Sequence, residues 1–533
     1  MKPIPSIKAY LLWLGIVFSL FAFITWWFLT AESAGQKAVL QSLSLDDAYI
    51  HLDYARALLE EHCPCFNQGV PEAGMTSPLW VILLAAALGL GKLFGFGPVV
   101  AALMVSALFG LLSVLLAGLI SSGEGGKGLD FFSACVVSVI IIFAPFFSFS
   151  RLAGMEVTLS AFLILAAVYC WTLRRPLLLG LTLGLSALSR PENLLLIGLL
   201  GLAWCLFSVF KKEKPTTMLE LAIPLLLLVG AWLAFNWSVS GKPFPNTYYA
   251  KTVPFSLFRT ANLLNLVSES GFGLGRSRLL PALIFYLAGA YYILKRRRKM
   301  WPLLVYPWLF IYGVSVTRDF PDIRSYSNNR YIQPIIPCLL IPLGLGLVMS
   351  SRFFILALKN KNLFNRMASG AGFLVSLLLF LSIVLNWHEF LVRQRKILAE
   401  NCLNIYEIHV RAGQWISKNL PENAVVAAYD VGAIRYYGDR QVLDLKGLNT
   451  HQMLDNPSYI YEQKPSHFFL PASHKEREII EQGSKEWVKY RLPGDKWVEL
   501  RPVFWVEARK YTVTSAHPNL QVLFEARYIN AAH

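Results

Sequence analysis

Two adjacent aspartates, Asp46 and Asp47, stand in SLDDAYIHLDYARALLEEH, just past an apolar run that ends near residue 30. A carboxylate at a membrane exit must be hydrated, paired with a cation, or used. As a general base it takes the proton of an attacking hydroxyl. As part of a helix N-terminus it is merely solvated, and an isolated Asp-Asp is more often that. The company these residues keep raises the functional reading. Glu156 opens an apolar run in SRLAGME, and Arg190, with Pro191 and Glu192, divides two apolar runs that would otherwise merge. The loop PNTYYAK brings Asn246, Tyr249 and Lys251 together, and Asn328, Asn329, Arg330 and Tyr331 precede a further run. Carboxylates with three cations, Arg190, Lys251 and Arg330, suit transfer of a sugar from a phosphate. The base activates the acceptor, and Arg or Lys neutralises the departing phosphate. Phosphate leaves readily, so the second carboxylic acid of glycoside hydrolysis is not required. For Arg190 the competing reading is a structural pair with Glu192. A divalent cation bridging Asp46, Asp47 and a phosphate is the one cofactor candidate, because hard cations take oxygen ligands.

The elements that must position these residues are transmembrane helices. The chain of 533 residues is 55% hydrophobic and only 15% charged, the composition of a polytopic membrane protein. Its formal charge of +16 sits in short clusters between apolar runs, at Arg174 and Arg175, Lys211 to Lys214, Lys295 to Lys299 and Arg352 to Arg366. That is the positive-inside pattern, and it argues against nucleic acid as a partner. Apolar segments fall at about 9–30, 78–95, 98–120, 131–149, 156–173, 177–188, 193–210, 218–238, 278–294, 301–316, 332–350 and 370–387. From a cytosolic N-terminus to a cytosolic Arg174 the number of crossings must be even, yet five segments intervene. The short 78–95 segment is therefore expected to be re-entrant or interfacial, leaving about eleven spans. This topology predicts a multi-pass protein of the inner (plasma) membrane, with the N-terminus in the cytosol and a first extracytoplasmic loop at 31–77. A transmembrane catalytic domain over 1–387 is followed by an extracytoplasmic α/β domain over 388–533.

Within that tail, 425–429, 441–445, 467–470 and 520–524 read as strands and 406–418 as a helix. The stretch Asp46 to Glu61 has helical spacing and is expected to lie along the interface. Cys63 and Cys65 are too few for a metal site, and an extracytoplasmic disulfide between them is chemically accessible. GFGLG at Gly271 to Gly275 lacks the strand-to-helix setting of a dinucleotide fingerprint, so a donor activated by a nucleotide is not indicated.

The segments LDDAYIHLDYARALLEEH with FNQGVPEAGMTSPLW, RLAGMEVTL, LSRPENLLL, PNTYYAK, NNRYIQPIIP and YDVGAIRYYGDRQVLDLKGL carry a resemblance, in order, across nearly the whole chain. Together they resemble the GT-C superfamily of integral-membrane glycosyltransferases. The likeness is closest to the branch of mycobacterial terminal arabinofuranosyltransferases, and more distant to protein mannosyltransferases and lipid A aminoarabinose transferases. It implies a GT-C fold, a polyprenyl-phosphate sugar as donor, a cell-envelope glycan or glycolipid as acceptor, inversion at the anomeric carbon, and Asp46 or Asp47 as the base. Two positions depart from the family pattern: Asp53 replaces an arginine, with Arg56 one turn on, and Ala73-Gly74 replaces Glu-Gly. Arabinose is accordingly not carried over. The rival function is a transporter or flippase of lipid-linked sugar, against which stands the lack of paired broken helices with charges stepping through the midplane.

Overall fold

The computed structural model describes residues 7–123, 130–211, 214–252, 279–317, 330–358, 363–472, 474–481, 486–492, 496–509 and 520–529. Asn328, Asn329 and Gly271–Gly275 lie outside the described residues. The chain forms two compact units, each assembled from three stretches of sequence: Met1–Phe28, Ser106–Gly230 and Val253–Arg395 in one, Leu29–Val105, Ala231–Thr252 and Lys396–His533 in the other.

The first unit is helical. Across both units, six helices among the described residues are long and apolar enough to cross a membrane, among them Ile7–Leu29 and Pro98–Ser122, and four shorter apolar helices accompany them, of which Pro78–Phe94 belongs to the second unit. The protein is thus a multi-span membrane protein, and each apolar stretch is helical over nearly all of its described length. Proline opens several of these helices, including Pro145–Ser150, Pro176–Ser189 and Pro302–Thr317. At that position the missing N–H would have had no helical partner anyway. Pro145 also divides the segment expected at 131–149 into Phe131–Ile142 and Pro145–Ser150. Helices Leu279–Arg296 and Ile336–Leu358 cross at van der Waals distance on two glycines. A Cβ added at Gly289 would lie 1.8 Å from the Pro342 carbonyl, and one at Gly346 would lie 1.9 Å from that of Phe285. Small residues of this kind let backbones meet where lipid offers no hydrophobic drive.

The second unit joins the first loop to the tail. A six-stranded sheet has the order β4-β3-β5-β8-β7-β6, with β3 (Val425–Ala428), β4 (Gln441–Asp444), β5 (His467–Pro471), β6 (Val488–Leu492), β7 (Lys496–Glu507) and β8 (Leu520–Tyr528). β3 is parallel to β4 and β5, whereas β8, β7 and β6 continue antiparallel. Ala427, Phe468, Val498, Val522 and Phe524 form its core. A smaller hairpin, β1 (Cys65–Asn67) and β2 (Val70–Pro71), leaves the first loop. Cys63 and Cys65 are disulfide-bonded. The helix Leu363–Ile405 runs unbroken through residue 388, where the tail was expected to begin, and continues as a π turn, Tyr406–Val410, into Arg411–Asn419.

Helix Asp46–Glu60 was expected to lie along the membrane interface with one face covered. Instead Ala48 to Ala55 are all buried. Helix Pro78–Phe94 packs on one side, with Lys92 2.7 Å from Glu60. On another, Tyr49 meets the rings of Tyr436 and Tyr437 in helix Gly432–Gly438 at 6.0 and 5.6 Å. Asp53, where an arginine was expected, is buried and held 3.1 Å from Arg56.

Candidate active site

The helix that carries the two aspartates starts after Leu45, whose extended backbone forms its N-cap without a side-chain bond. Asp46 and Asp47 then occupy its first turn, about 100° apart around the axis, so they face different neighbours. Asp46 is half-buried and caps a different helix: its carboxylate oxygens accept the backbone N–H groups of Gly432 at 2.7 Å and Ala433 at 2.9 Å. The approach demands glycine, since a Cβ at Gly432 would sit 2.2 Å from the Asp46 carbonyl oxygen. Asp47 instead faces Lys251, with Oδ2 3.6 Å from Nζ and both side chains partly open to solvent.

Lys251 ends the short helix Asn246–Lys251. At the other end Asn246 is fully buried, donates its amide to Glu72 at 3.1 Å, and donates its backbone N–H to the Ala73 carbonyl at 2.8 Å. Between them the Tyr249 hydroxyl accepts the Phe244 N–H, and its ring lies 5.3 Å from the Lys242 ammonium. Glu72 is buried, and its carboxylate also meets His451 Nδ1 at 3.1 Å. A further charged group stands beside Asp46: Asp430 binds Lys446 at 2.9 Å and lies 3.8 Å from the buried His409. Burial raises the pKa of Asp46, against the opposing charge of His409. It also raises that of Glu72, against His451. Burial alone would lower the His409 pKa, but Asp430 and Asp46 outweigh it and hold the imidazole pKa above its ordinary value.

This arrangement does not fit the divalent ion considered for Asp46 and Asp47. Both Asp46 oxygens are occupied by backbone N–H groups, Asp47 faces an ammonium, and the described residues contain no cluster of three or more His, Cys, Asp or Glu suited to a metal.

Glu156, Arg190, Arg330 and Tyr331 come together in the other unit. Arg190 is buried, with Nη1 2.7 Å from Glu156 and Nε 3.3 Å from Glu192. The Tyr331 ring lies 5.6 Å from the Arg190 guanidinium and 5.5 Å from that of Arg330. The Arg190–Glu192 pair weighed as a structural alternative is therefore present, and Glu156 makes it a triad.

Sequence reasoning did not single out Glu72, His409, Asp430, Lys446 or His451. Four of these five belong to the tail, and Asp430 and Lys446 lie in YDVGAIRYYGDRQVLDLKGL, one of the segments that carry the family resemblance.

The fold recurs in solved structures. ArnT from Cupriavidus metallidurans bound to undecaprenyl phosphate superposes with a TM-score of 0.57 at 12% identity, over 99% of each chain. The chain has an ArnT-like fold. ArnT in the apo state gives a TM-score of 0.56 at 12% identity, over 97% of this chain and 98% of that one. The archaeal oligosaccharyltransferase AglB from Archaeoglobus fulgidus, in complex with an inhibitory peptide and a dolichol-phosphate, gives 0.52 at 13% identity, over 91% and 74%. The expected fold class, a polytopic helical membrane protein with a C-terminal α/β domain, therefore holds. Residues 403–516 match a family described as a domain of unknown function, DUF8728. No curated protein matches the sequence.

Proposed function

We propose that this protein is an inverting membrane glycosyltransferase that moves a sugar from a polyprenyl-phosphate donor to an extracytoplasmic cell-envelope acceptor. The observation that carries the reading is the Asp47–Lys251 pair, set in a fold shared along almost its entire length with a protein solved with undecaprenyl phosphate. Asp47 is the general base. It removes the acceptor hydroxyl proton as that oxygen attacks the anomeric carbon from the face opposite the phosphate. The new glycosidic bond forms, the bond from the anomeric carbon to the phosphate oxygen breaks, and the sugar inverts. Polyprenyl phosphate departs with the electron pair, its added charge met by Lys251. Lys251 turns from Asp47 to the phosphate when donor binds, which frees the carboxylate to accept a proton. Asp46 positions this turn of helix and does not touch substrate. Arg190, neutralised by two glutamates, is a weaker phosphate ligand than Lys251, and Arg330 with Tyr331 completes the second polar group.

Purified protein in nanodiscs is given polyprenyl-phosphate donors carrying a panel of radiolabelled sugars, together with an envelope extract. Label transferred to an acceptor, with release of polyprenyl phosphate, supports the enzyme. Movement of donor across a liposome without product would replace it with the flippase. In cells, a tag after Lys295 is expected to face the cytosol and one at the C-terminus to be exported, and a cytosolic C-terminus would reverse the proposed orientation.

A further inference from the structure

A buried carboxylate is costly unless its oxygens are partnered, and a well-packed apolar residue is commonly as stable in its place. Glu72 is such a group, and its partners come from two remote segments: the Asn246 amide at 3.1 Å and His451 Nδ1 at 3.1 Å. The backbone next to it is held by the same segments. Ala73 accepts the Asn246 N–H at 2.8 Å, and the Gly74 carbonyl accepts the Thr247 hydroxyl at 3.5 Å. Gly74 itself leaves no room, because a Cβ there would come within 2.5 Å of both the Asn449 side chain and the Tyr54 hydroxyl. Asn449 is fixed in turn by Asp444, which accepts its backbone and side-chain N–H groups at 3.0 Å. Residues 72–74 are therefore wedged between the loop after β4 and the helix Asn246–Lys251.

That helix has six residues, about 9 Å of rise, far too short to be stable alone. Its place is set by its anchors, and the anchors at its first residue are Glu72 and Ala73. Its last residue is Lys251, the cation facing Asp47.

We propose that Glu72 is a positioning residue: clamped between His451 and Asn246, it fixes the short helix that presents Lys251 to Asp47. The functional consequence rests on the phosphate role proposed for Lys251, whereas the clamp itself does not. The sheet domain thereby acts on the site through His451.

The two parts are measured separately on the full-length protein in nanodiscs. Lysines are acylated and the modification of Lys251 is followed by mass spectrometry, which requires no ligand. Glu72→Ala and Asn246→Ala are each expected to raise the Lys251 rate severalfold. Glu72→Gln keeps an oxygen for the Asn246 amide and should stay within about twofold of the parent. Undecaprenyl phosphate, titrated into the same samples, should bind on the order of tenfold more weakly to both alanine variants. An unchanged Lys251 rate in Asn246→Ala and Glu72→Ala overturns the proposal. So does loss of turnover in Glu72→Gln with labelling and binding intact, since Glu72 would then be transferring a proton. Should Glu72→Ala fail to fold, the other two variants decide between the same outcomes. A parent protein that does not bind undecaprenyl phosphate defeats the phosphate reading, while the labelling still judges the clamp.

Discussion

The carboxylate of Asp46 accepts the N–H of Gly432 at 2.7 Å across a separation of 386 residues. Its neighbour Asp47 lies 3.6 Å from Lys251. Two residues of one type, adjacent in sequence, thus have separate tasks. One fastens the first loop to the sheet domain, and the other is the residue proposed to exchange a proton.

Asp47→Asn is expected to lower turnover by on the order of 100-fold or more, as removal of a general base does, with little change in thermal stability. Asp46→Asn sets an amide N–H against a backbone N–H and should cost about 1–3 kcal/mol of stability. Turnover per folded molecule and melting temperature separate the two. A stable Asp46→Asn variant, or a fully active Asp47→Asn variant, would reject the division of labour.

Gly432→Ala places a methyl group 2.2 Å from the Asp46 carbonyl, so backbone must move apart. A loss of about 2 kcal/mol or more is expected, a size reserved for steric or buried-polar defects. Gly201 lies in helix Leu194–Lys211 with nothing within 4 Å of an added Cβ, and Gly201→Ala should be neutral or slightly stabilising. Equal melting temperatures for the two variants would refute the close contact.

Asp444 gives a pH signature. Burial pushes its pKa up to about 6 from the ordinary 3.8, despite the N–H groups of Lys446 and Asn449 that favour the charged form. A carboxyl with a raised pKa in the folded state binds a proton more tightly there than in the unfolded chain. Its stabilising effect is complete below the unfolded value and is lost as pH rises through about 6, a change of roughly 3 kcal/mol across that window. Asp444→Asn removes the titration and should flatten this part of the stability profile. It should also be less stable throughout, because an amide cannot accept from all three donors. A parent profile no steeper than that of the variant between pH 4 and pH 6 would contradict the assignment.

Arg190 and Glu156 test the buried triad of the helical unit. Arg190→Met removes the cation that Glu156 and Glu192 share, at an expected cost of about 3–5 kcal/mol, Glu156→Gln leaves Arg190 paired with Glu192 and should cost less, and the double variant should lose less than the sum of the two. Thermal stability of the four proteins in detergent closes the cycle. Additive losses would show that the 2.7 Å contact is energetically empty.

The helices were readable because each needs only a long apolar run, and length and composition are local properties of sequence. Four strands of the tail were readable for the same reason: Val425–Ala428 and Leu520–Tyr528 are rich in β-branched and aromatic residues. β7 was missed because KWVELRPVFWVE mixes charges with a proline, and Pro502 is tolerated there only because the register shifts beside it. The site was half legible. Asp47 stands out as a carboxylate past an apolar run and Lys251 as the cation closing an aromatic loop, but Asp46 looks identical to Asp47 until Gly432 is placed against it. Glu72 and His451 are 379 residues apart, and no local pattern marks either as the partner of the other.

The hairpin of the first loop has a consequence for how the protein is made. Asn67 exchanges two hydrogen bonds of 2.9 Å with the backbone of Val442, a residue that follows it by 375 positions. At about 5–20 residues per second, a ribosome needs roughly 20–75 s to supply that partner after Asn67 itself is made. For nearly all of that interval Asp46 has no Gly432 to bind, and the Asp46–Glu60 helix lacks the tail that later covers it. The first loop is synthesised early yet folded late, so a ribosome stalled before the β4 codons would leave inserted helices carrying an unfinished candidate site.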